Sequence, residues 1–263
     1  MSEETTVTES ETVETMNNNI TLTKADLHFV MSRCPEDIRE LLGKYPGKIM
    51  VAGGFIRSII AGEKVSDIDL LGADADAMLL MAKDLTLERK GRYFTTKNAA
   101  TVLAAPRIPV QFITRWVFDS PEKCIESFDF TVCQAAIWAK NTDDNHLTFA
   151  SAISTAFYPD LAARRLTYTV PERLEDVGGS LLRVIKYVKR GYDIQAASLA
   201  KIVARLMSGV DKRRLDETVG ECDEQWVSTV LTGLLREVDP LIVIDGVDFV
   251  DEHETLTSLE EEE

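Results

Sequence analysis

This 263-residue sequence predicts an α+β fold, a mixed β-sheet flanked by helices over residues 20–150 followed by an α-helical segment over 151–238. Three stretches carry that expectation. Residues 48–72, KIMVAGGFIRSIIAGEKVSDIDLLG, read as strand, glycine turn, helix and strand. From Thr86 the texture changes to short β-like runs, TLERK, RYFTT, ATVLA and IPVQFIT, divided by glycine, asparagine or proline. Beyond Ser180, LLRVIKYVKRGYDI sets apolar residues at 181, 182, 185 and 188 against basic ones at 183, 186, 189 and 190, the pattern of an amphipathic helix with one positive face.

In chain order, residues 1–19 carry five glutamates, no Lys or Arg and no apolar periodicity, so they predict a disordered acidic tail rather than a leader peptide. Residues 21–45 predict one or two helices, with Pro35 opening the second and Ile38, Leu41 and Leu42 facing the core. After the strand–glycine–helix–strand unit, DADAMLLMAKDL has early acids and later Ala, Leu and Met, as a helix requires; Met78 and Met81 read as packing residues. SPEKCIES predicts a short helix with Ser120 as its N-cap. In FDFTVCQAAIW the alternation Phe128, Phe130, Val132 predicts a buried strand, and NTDDN at 141–145 predicts a turn between strands. Past Ser180, two more helices are expected over 195–207 and 223–237, the latter turning Trp226, Val230, Leu234 and Leu235 inward. Residues 239–263 hold ten acids and no Lys or Arg, a second solvated tail.

Charge placement matters more than the net value of −15, because the two tails account for all of it and the intervening chain is neutral. Within that neutral body, residues 161–214 hold 12 Lys and Arg against 5 acids, a surface suited to phosphate backbones or to ordinary solvation. No apolar run approaches the ~18 residues that suggest a membrane span. Cys34, Cys124, Cys133 and Cys222 form no CxxC pair, and with three histidines there is no zinc pattern, so reduced cysteines in a cytoplasmic protein are expected.

Chemistry concentrates in residues 48–72. Gly53 and Gly54 lack a Cβ and permit close approach of a bulky anion, while the helix that follows offers unpaired N–H groups and a positive dipole end. Asp67 and Asp69 lie two apart on a strand and share a face, away from Ile68 and Leu70. Adjacent carboxylates repel unless a cation lies between them, and hard oxygen ligands favour Mg²⁺ or Mn²⁺. Ser66 flanks the pair, and Arg57 and Lys64 supply positive charge for a triphosphate.

The GG, Arg57, DID order, with 12 residues between Gly54 and Asp67, resembles the first motif of the nucleotidyltransferase superfamily of DNA polymerase β, in its bacterial CCA-adding enzyme and poly(A) polymerase branch. FDFTV, through Asp129, Phe130 and Thr131, resembles the DFT core of that branch's RRDFTxN motif, and YPDLAARRLTYTVPERLED resembles its link from head to neck. The resemblance implies a nucleotidyltransferase head, a helical neck and metal-dependent transfer of a nucleoside monophosphate from an NTP, ATP or CTP foremost, to a hydroxyl of RNA, with pyrophosphate released. It implies that Asp67 and Asp69 bind the metal, that Asp129 supports metal or ribose, that Gly53, Gly54, Arg57, Lys64 and Ser66 hold the nucleotide, and that Arg183, Lys186, Lys189 and Arg190 contact RNA. Departures stand beside it: Ser58 replaces an acid, Gln111 occupies the position best matching a third carboxylate, and Gly178-Gly179 interrupts the helix that reads the base in the family. Two alternatives therefore stay open, a nucleotide- or protein-binding relative without chemistry and an enzyme that modifies a protein or small molecule. The head-and-neck size with acidic tails also suits a phage-borne protein acting in a host cytoplasm.

Overall fold

The computed structural model describes residues 19–142, 144, 146–172, 177–208 and 257–258. The helix expected over 223–237, nearly all of both tails, and Glu175 and Asp176 lie outside the described residues.

Two helices open the fold, α1 (Lys24–Arg33) and α2 (Glu36–Lys44). Thr23 caps α1 by accepting from the Asp26 amide, and Pro35 is the N-cap residue of α2. Strand β2 (Ile49–Ala52) then leads through Gly53 into α3 (Gly54–Ala61), which stops at Gly62 in the left-handed conformation. Strand β3 (Ile68–Gly72) returns antiparallel to β2, pairing Ala52 with Asp69 and Val51 with Leu70. Helix α4 (Ala75–Arg89) is capped by the Asp74 carboxylate and followed by β4 (Arg92–Thr95), β5 (Ala99–Leu103) and β6 (Val110–Ile113). Ser120 caps α5 (Pro121–Glu126) as expected, and β7 (Ala135–Asn141) and β8 (Leu147–Ser154) form a hairpin. Beyond it come α6 (Phe157–Ala162), β9 (Arg165–Leu166), α7 (Val177–Lys189), β10 (Asp193–Ile194) and α8 (Ala196–Ser208).

Among the described residues the main sheet has nine strands in the order β1-β8-β7-β2-β3-β6-β5-β4-β11; the outermost, β1 (Asn19–Ile20) and β11 (Thr257–Ser258), are two residues each. It is mixed, because β3 runs parallel to β6 while its other neighbours pair antiparallel. The aspartate-bearing strand β3 lies at the centre.

Strand alternation sorts the core onto two faces. Ile49, Val51, Ile68, Leu70, Val110 and Phe112 pack with Ile38, Leu42, Phe55, Met78 and Leu85 of the helical layer. Met50, Ala52 and Leu71 point the other way, toward Cys124 and Ile125 of α5. The first cluster continues into Val184 and Tyr187 of α7 and Ile202 of α8, so the neck helices share the core of the head.

Four expectations need correction. Thr86 to Lys90 is not a strand but the last turn and C-cap of α4. Ala82, Leu85, Thr86 and Arg89 are buried at helical spacing, and the Thr86 hydroxyl donates to the Ala82 carbonyl at 2.7 Å, which reconciles a β-branched residue with the helix. Phe128 to Val132 is no strand either: Phe130 makes a single bridge to Tyr168, and Thr131–Cys133 form a 3-10 turn. Gly178 and Gly179 do not break α7, which begins at Val177. Finally, the inward face of α7 is Ser180, Val184 and Tyr187, whereas Ile185 and Val188 are about half exposed (50% and 49%). Polar anchors, described next, turn the helix away from its apolar stripe.

Candidate functional site

At the turn between β2 and α3, Gly53 has φ 77° and ψ −129°, a conformation only glycine adopts without strain. A Cβ there would sit 2.9 Å from the Phe128 ring. Gly53→Ala is therefore expected to lower stability by about 2 kcal/mol or more, measured by chemical denaturation. Gly53 thus aims the helix, and Gly54, first residue of α3, lines the cleft itself.

Cleft, carboxylates and cations come together on the sheet face opposite the main helical layer. Asp67, 7% exposed, accepts from the Ser66 hydroxyl at 2.9 Å just before β3. Asp69 lies in β3, in register with Gln111 of parallel strand β6, and Gln111 is in turn paired with Thr101 of β5. Registered residues on neighbouring strands project to the same face, so Asp69 and Gln111 stand side by side. Both line the cleft.

Across the cleft is α7. Arg183 Nε donates to Asp129 Oδ2 at 2.7 Å, and the Ser180 hydroxyl donates to the same oxygen at 2.8 Å. Asp129 thereby ties α7 to the head. Tyr187 adds a second tie: its hydroxyl lies 3.0 Å from Cys133 Sγ, and its ring lies under the Arg57 guanidinium at 4.7 Å. Burial pushes the Tyr187 hydroxyl well above its usual pKa, so it remains a neutral phenol. Arg57 is 2% exposed and bonded to Ser58 and Cys133, with Glu63 at 3.5 Å. Burial opposes its charge, but the electron-rich groups around it, the Tyr187 ring face and hydroxyl oxygen, Cys133 Sγ and the Glu63 carboxylate, hold its pKa above the ordinary arginine value.

Of the expected site residues, Gly54, Arg57, Ser66, Asp67, Asp69, Asp129, Arg183, Lys186 and Arg190 line one cleft. Gly53 lies behind it, and Lys64 and Lys189 are exposed residues outside it. Sequence reading missed Asn98, Arg115 and Trp116 on the same wall. The Asn98 carbonyl accepts from the amides of Thr114 and Arg115, its side chain accepts from Arg115 Nη1 at 3.1 Å, and Arg115 lies over the Trp116 ring. No local signal marks them, because the loop before β5 meets the end of β6 only in the folded sheet.

A divalent cation fits this donor set through hard oxygens alone. Among the described residues no three His, Cys, Asp or Glu side chains gather as a metal-binding group. Asp67, Asp69 and the neutral Gln111 amide are the residues that would hold it.

The family profile described as Gabija anti-defense 2 (Gad2) family protein matches residues 21–164, more than half of the chain. The chain belongs to the Gad2 family. A Gad2 relative, Gabija anti-defense 2 of Bacillus phage SPbetaL7, is 27% identical over 174 residues, covering 65% of this chain and 40% of that protein. Among solved structures, the Thermotoga maritima CCA-adding enzyme complexed with tRNA superposes with a TM-score of 0.50 at 19% identity, over 78% of this chain and 50% of the enzyme. A CCA-adding enzyme in complex with ATP gives 0.51 at 23% identity, over 83% and 51%. These likenesses establish the nucleotidyltransferase fold for this Gad2 family member. The chain spans about half or less of the length of these relatives.

Proposed function

We propose that this chain is a metal-dependent nucleotidyltransferase that serves a phage counter-defence role in the host cytoplasm. The observation that carries the reading is one cleft with opposed charge: Asp67 just before β3 and Asp69 within it, facing Arg57 of α3, Arg183 and Lys186 of α7, and Arg190 just after α7. That pattern complements a triphosphate accompanied by Mg²⁺ or Mn²⁺, the anion meeting the cations and the start of α3. When bound, the cation polarises the phosphoryl oxygens and neutralises developing charge. The chain's own groups then position the reactants: Asp67 and Asp69 supply anionic ligands, Gly54 admits the phosphates, and Asp129 orients Arg183. An acceptor hydroxyl oxygen forms a bond to the α-phosphorus as its proton passes to water, the bond from that phosphorus to the bridging oxygen breaks, and pyrophosphate leaves.

RNA is the first acceptor class. Residues 161–214 hold the basic surplus, and Lys189 lies exposed on α7 beyond the cleft, where a phosphate backbone could run. The anti-defence name of the phage relative supports a protein or small-molecule acceptor as the alternative. A second reading, nucleotide binding without transfer, is favoured by Gln111 at the position of a third carboxylate. Incubation with each α-labelled NTP, Mg²⁺, total RNA and host extract separates these readings. Label transferred to RNA supports the first, label on protein or a small molecule the second acceptor class, and binding with no product the inactive relative. No helix among the described residues is long and apolar enough to cross a membrane.

A further inference from the structure

The charge pattern of the cleft leaves the chemistry of Gln111 unexplained. Its side chain is 0% exposed, yet neither Oε1 nor Nε2 has a hydrogen-bond partner. A buried amide with both ends unmade destabilises the fold, so an interior position this size would ordinarily hold Leu or Met. The neighbours do not supply partners. Thr101 and Asp69 flank it across the two strand pairings, Val110 and Phe112 on either side point into the apolar helical layer, and its own side chain lines the cleft beside the carboxylates.

We propose that Gln111 is a neutral oxygen ligand for the cation held by Asp67 and Asp69, so that this protein takes up its cation together with the triphosphate rather than before it. The inference rests on the cation-and-triphosphate reading of the cleft. Its logic is electrostatic. Two carboxylates and an amide present two negative charges, and a further carboxylate at position 111 would present three. An added unit charge beside a divalent ion attracts it far more strongly than a neutral oxygen does. The amide gives that attraction up and keeps an oxygen for coordination, while its N–H₂ remains able to donate to a phosphate oxygen. Phosphate oxygens then provide the missing negative charge, which makes cation and nucleotide mutually dependent.

Mn²⁺ titrations of the full chain, alone and with non-hydrolysable ATP and CTP analogues, test this, using native protein, Gln111→Glu, Gln111→Leu and Asp69→Asn. Native protein is expected to bind Mn²⁺ at least about tenfold more tightly with nucleotide than without, and Gln111→Glu to bind Mn²⁺ alone about tenfold more tightly than native. Gln111→Leu keeps the volume and removes both unpartnered atoms. It is expected to melt at or above the native temperature without ligand and to lose about tenfold in affinity for Mn²⁺ with nucleotide. A purely structural glutamine gives the reverse, with Gln111→Leu melting lower and binding as native does. If Asp69→Asn weakens binding while both Gln111 variants bind as native does, the inference fails and the cleft reading stands. If native protein binds neither Mn²⁺ nor nucleotide, both fall.

Discussion

Asp69→Asn is expected to reduce nucleotidyl transfer by at least about 10²–10³-fold, and Asp67→Asn to do the same, with the fold intact in each. The magnitude follows from the several kcal/mol that a bound cation contributes to a phosphoryl transition state, at 1.36 kcal/mol per tenfold in rate. Asparagine keeps the shape of the side chain and removes its charge. Asp69 lies within β3, central in the sheet, so a truncation to Ala would confound loss of a ligand with loss of packing. Asn avoids that. Asparagine also keeps a hydrogen-bonding side chain of the same length, so both variants are expected to melt close to the native protein. Thermal unfolding beside labelled-NTP assays checks both halves. Native turnover in both variants would remove the carboxylates from the mechanism.

The largest stability effect is expected far from the cleft, at Asp37. Arg89 Nε and Nη2 donate to the two Asp37 oxygens at 2.8 and 3.1 Å, Arg107 Nη1 adds a contact at 3.1 Å, and Arg89 Nη1 donates to the Ile108 carbonyl. The Arg89 side chain is fully buried, whereas Asp37 retains 11% exposure. Asp37→Ala strands that guanidinium and should cost about 3–5 kcal/mol, while adding Arg89→Met should recover most of the loss, since an apolar replacement of a buried pair is often neutral. Burial raises the Asp37 pKa, but the Arg89 hydrogen bonds and charge outweigh it and leave the carboxyl below its ordinary value. A depressed carboxyl pKa stabilises the fold above the unfolded-state pKa and loses that contribution as pH falls through the folded one. The gap between native and Asp37→Ala should therefore be full at neutral pH and narrow through the acid range. Denaturant titrations across pH measure it, and a gap that widens toward acid would contradict the assignment.

The centre of the cleft could be read from the sequence because it is local. Gly53, Gly54, Asp67 and Asp69 lie within one strand–helix–strand unit, where spacing alone decides which residues share a face. Gln111 came into view through the resemblance, as the position best matching a third carboxylate, and the folded sheet sets it in register with Asp69. The neck helix was legible as a helix but not in its rotation. Its apolar stripe at 185 and 188 pointed one way, while hydrogen bonds from Ser180 and Arg183 to Asp129, and the contact between the Tyr187 hydroxyl and Cys133 Sγ, fix it another way. Those partners are more than fifty residues away in sequence, and no window along α7 contains them. Asn98, Arg115 and Trp116 escaped for a related reason, because β-strand pairing and not proximity in the chain brings them to the cleft. Thr86 misled through its β-branched side chain, which α4 accommodates by bonding the hydroxyl back to Ala82.

Anomalous diffraction from crystals grown with Mn²⁺ and a non-hydrolysable nucleoside triphosphate decides whether the two carboxylates hold a cation. A manganese peak is expected at coordination distance from oxygens of both Asp67 and Asp69, with the triphosphate reaching from it to the start of α3 at Gly54. Manganese or nucleotide bound elsewhere, with those two carboxylates untouched, would contradict that expectation.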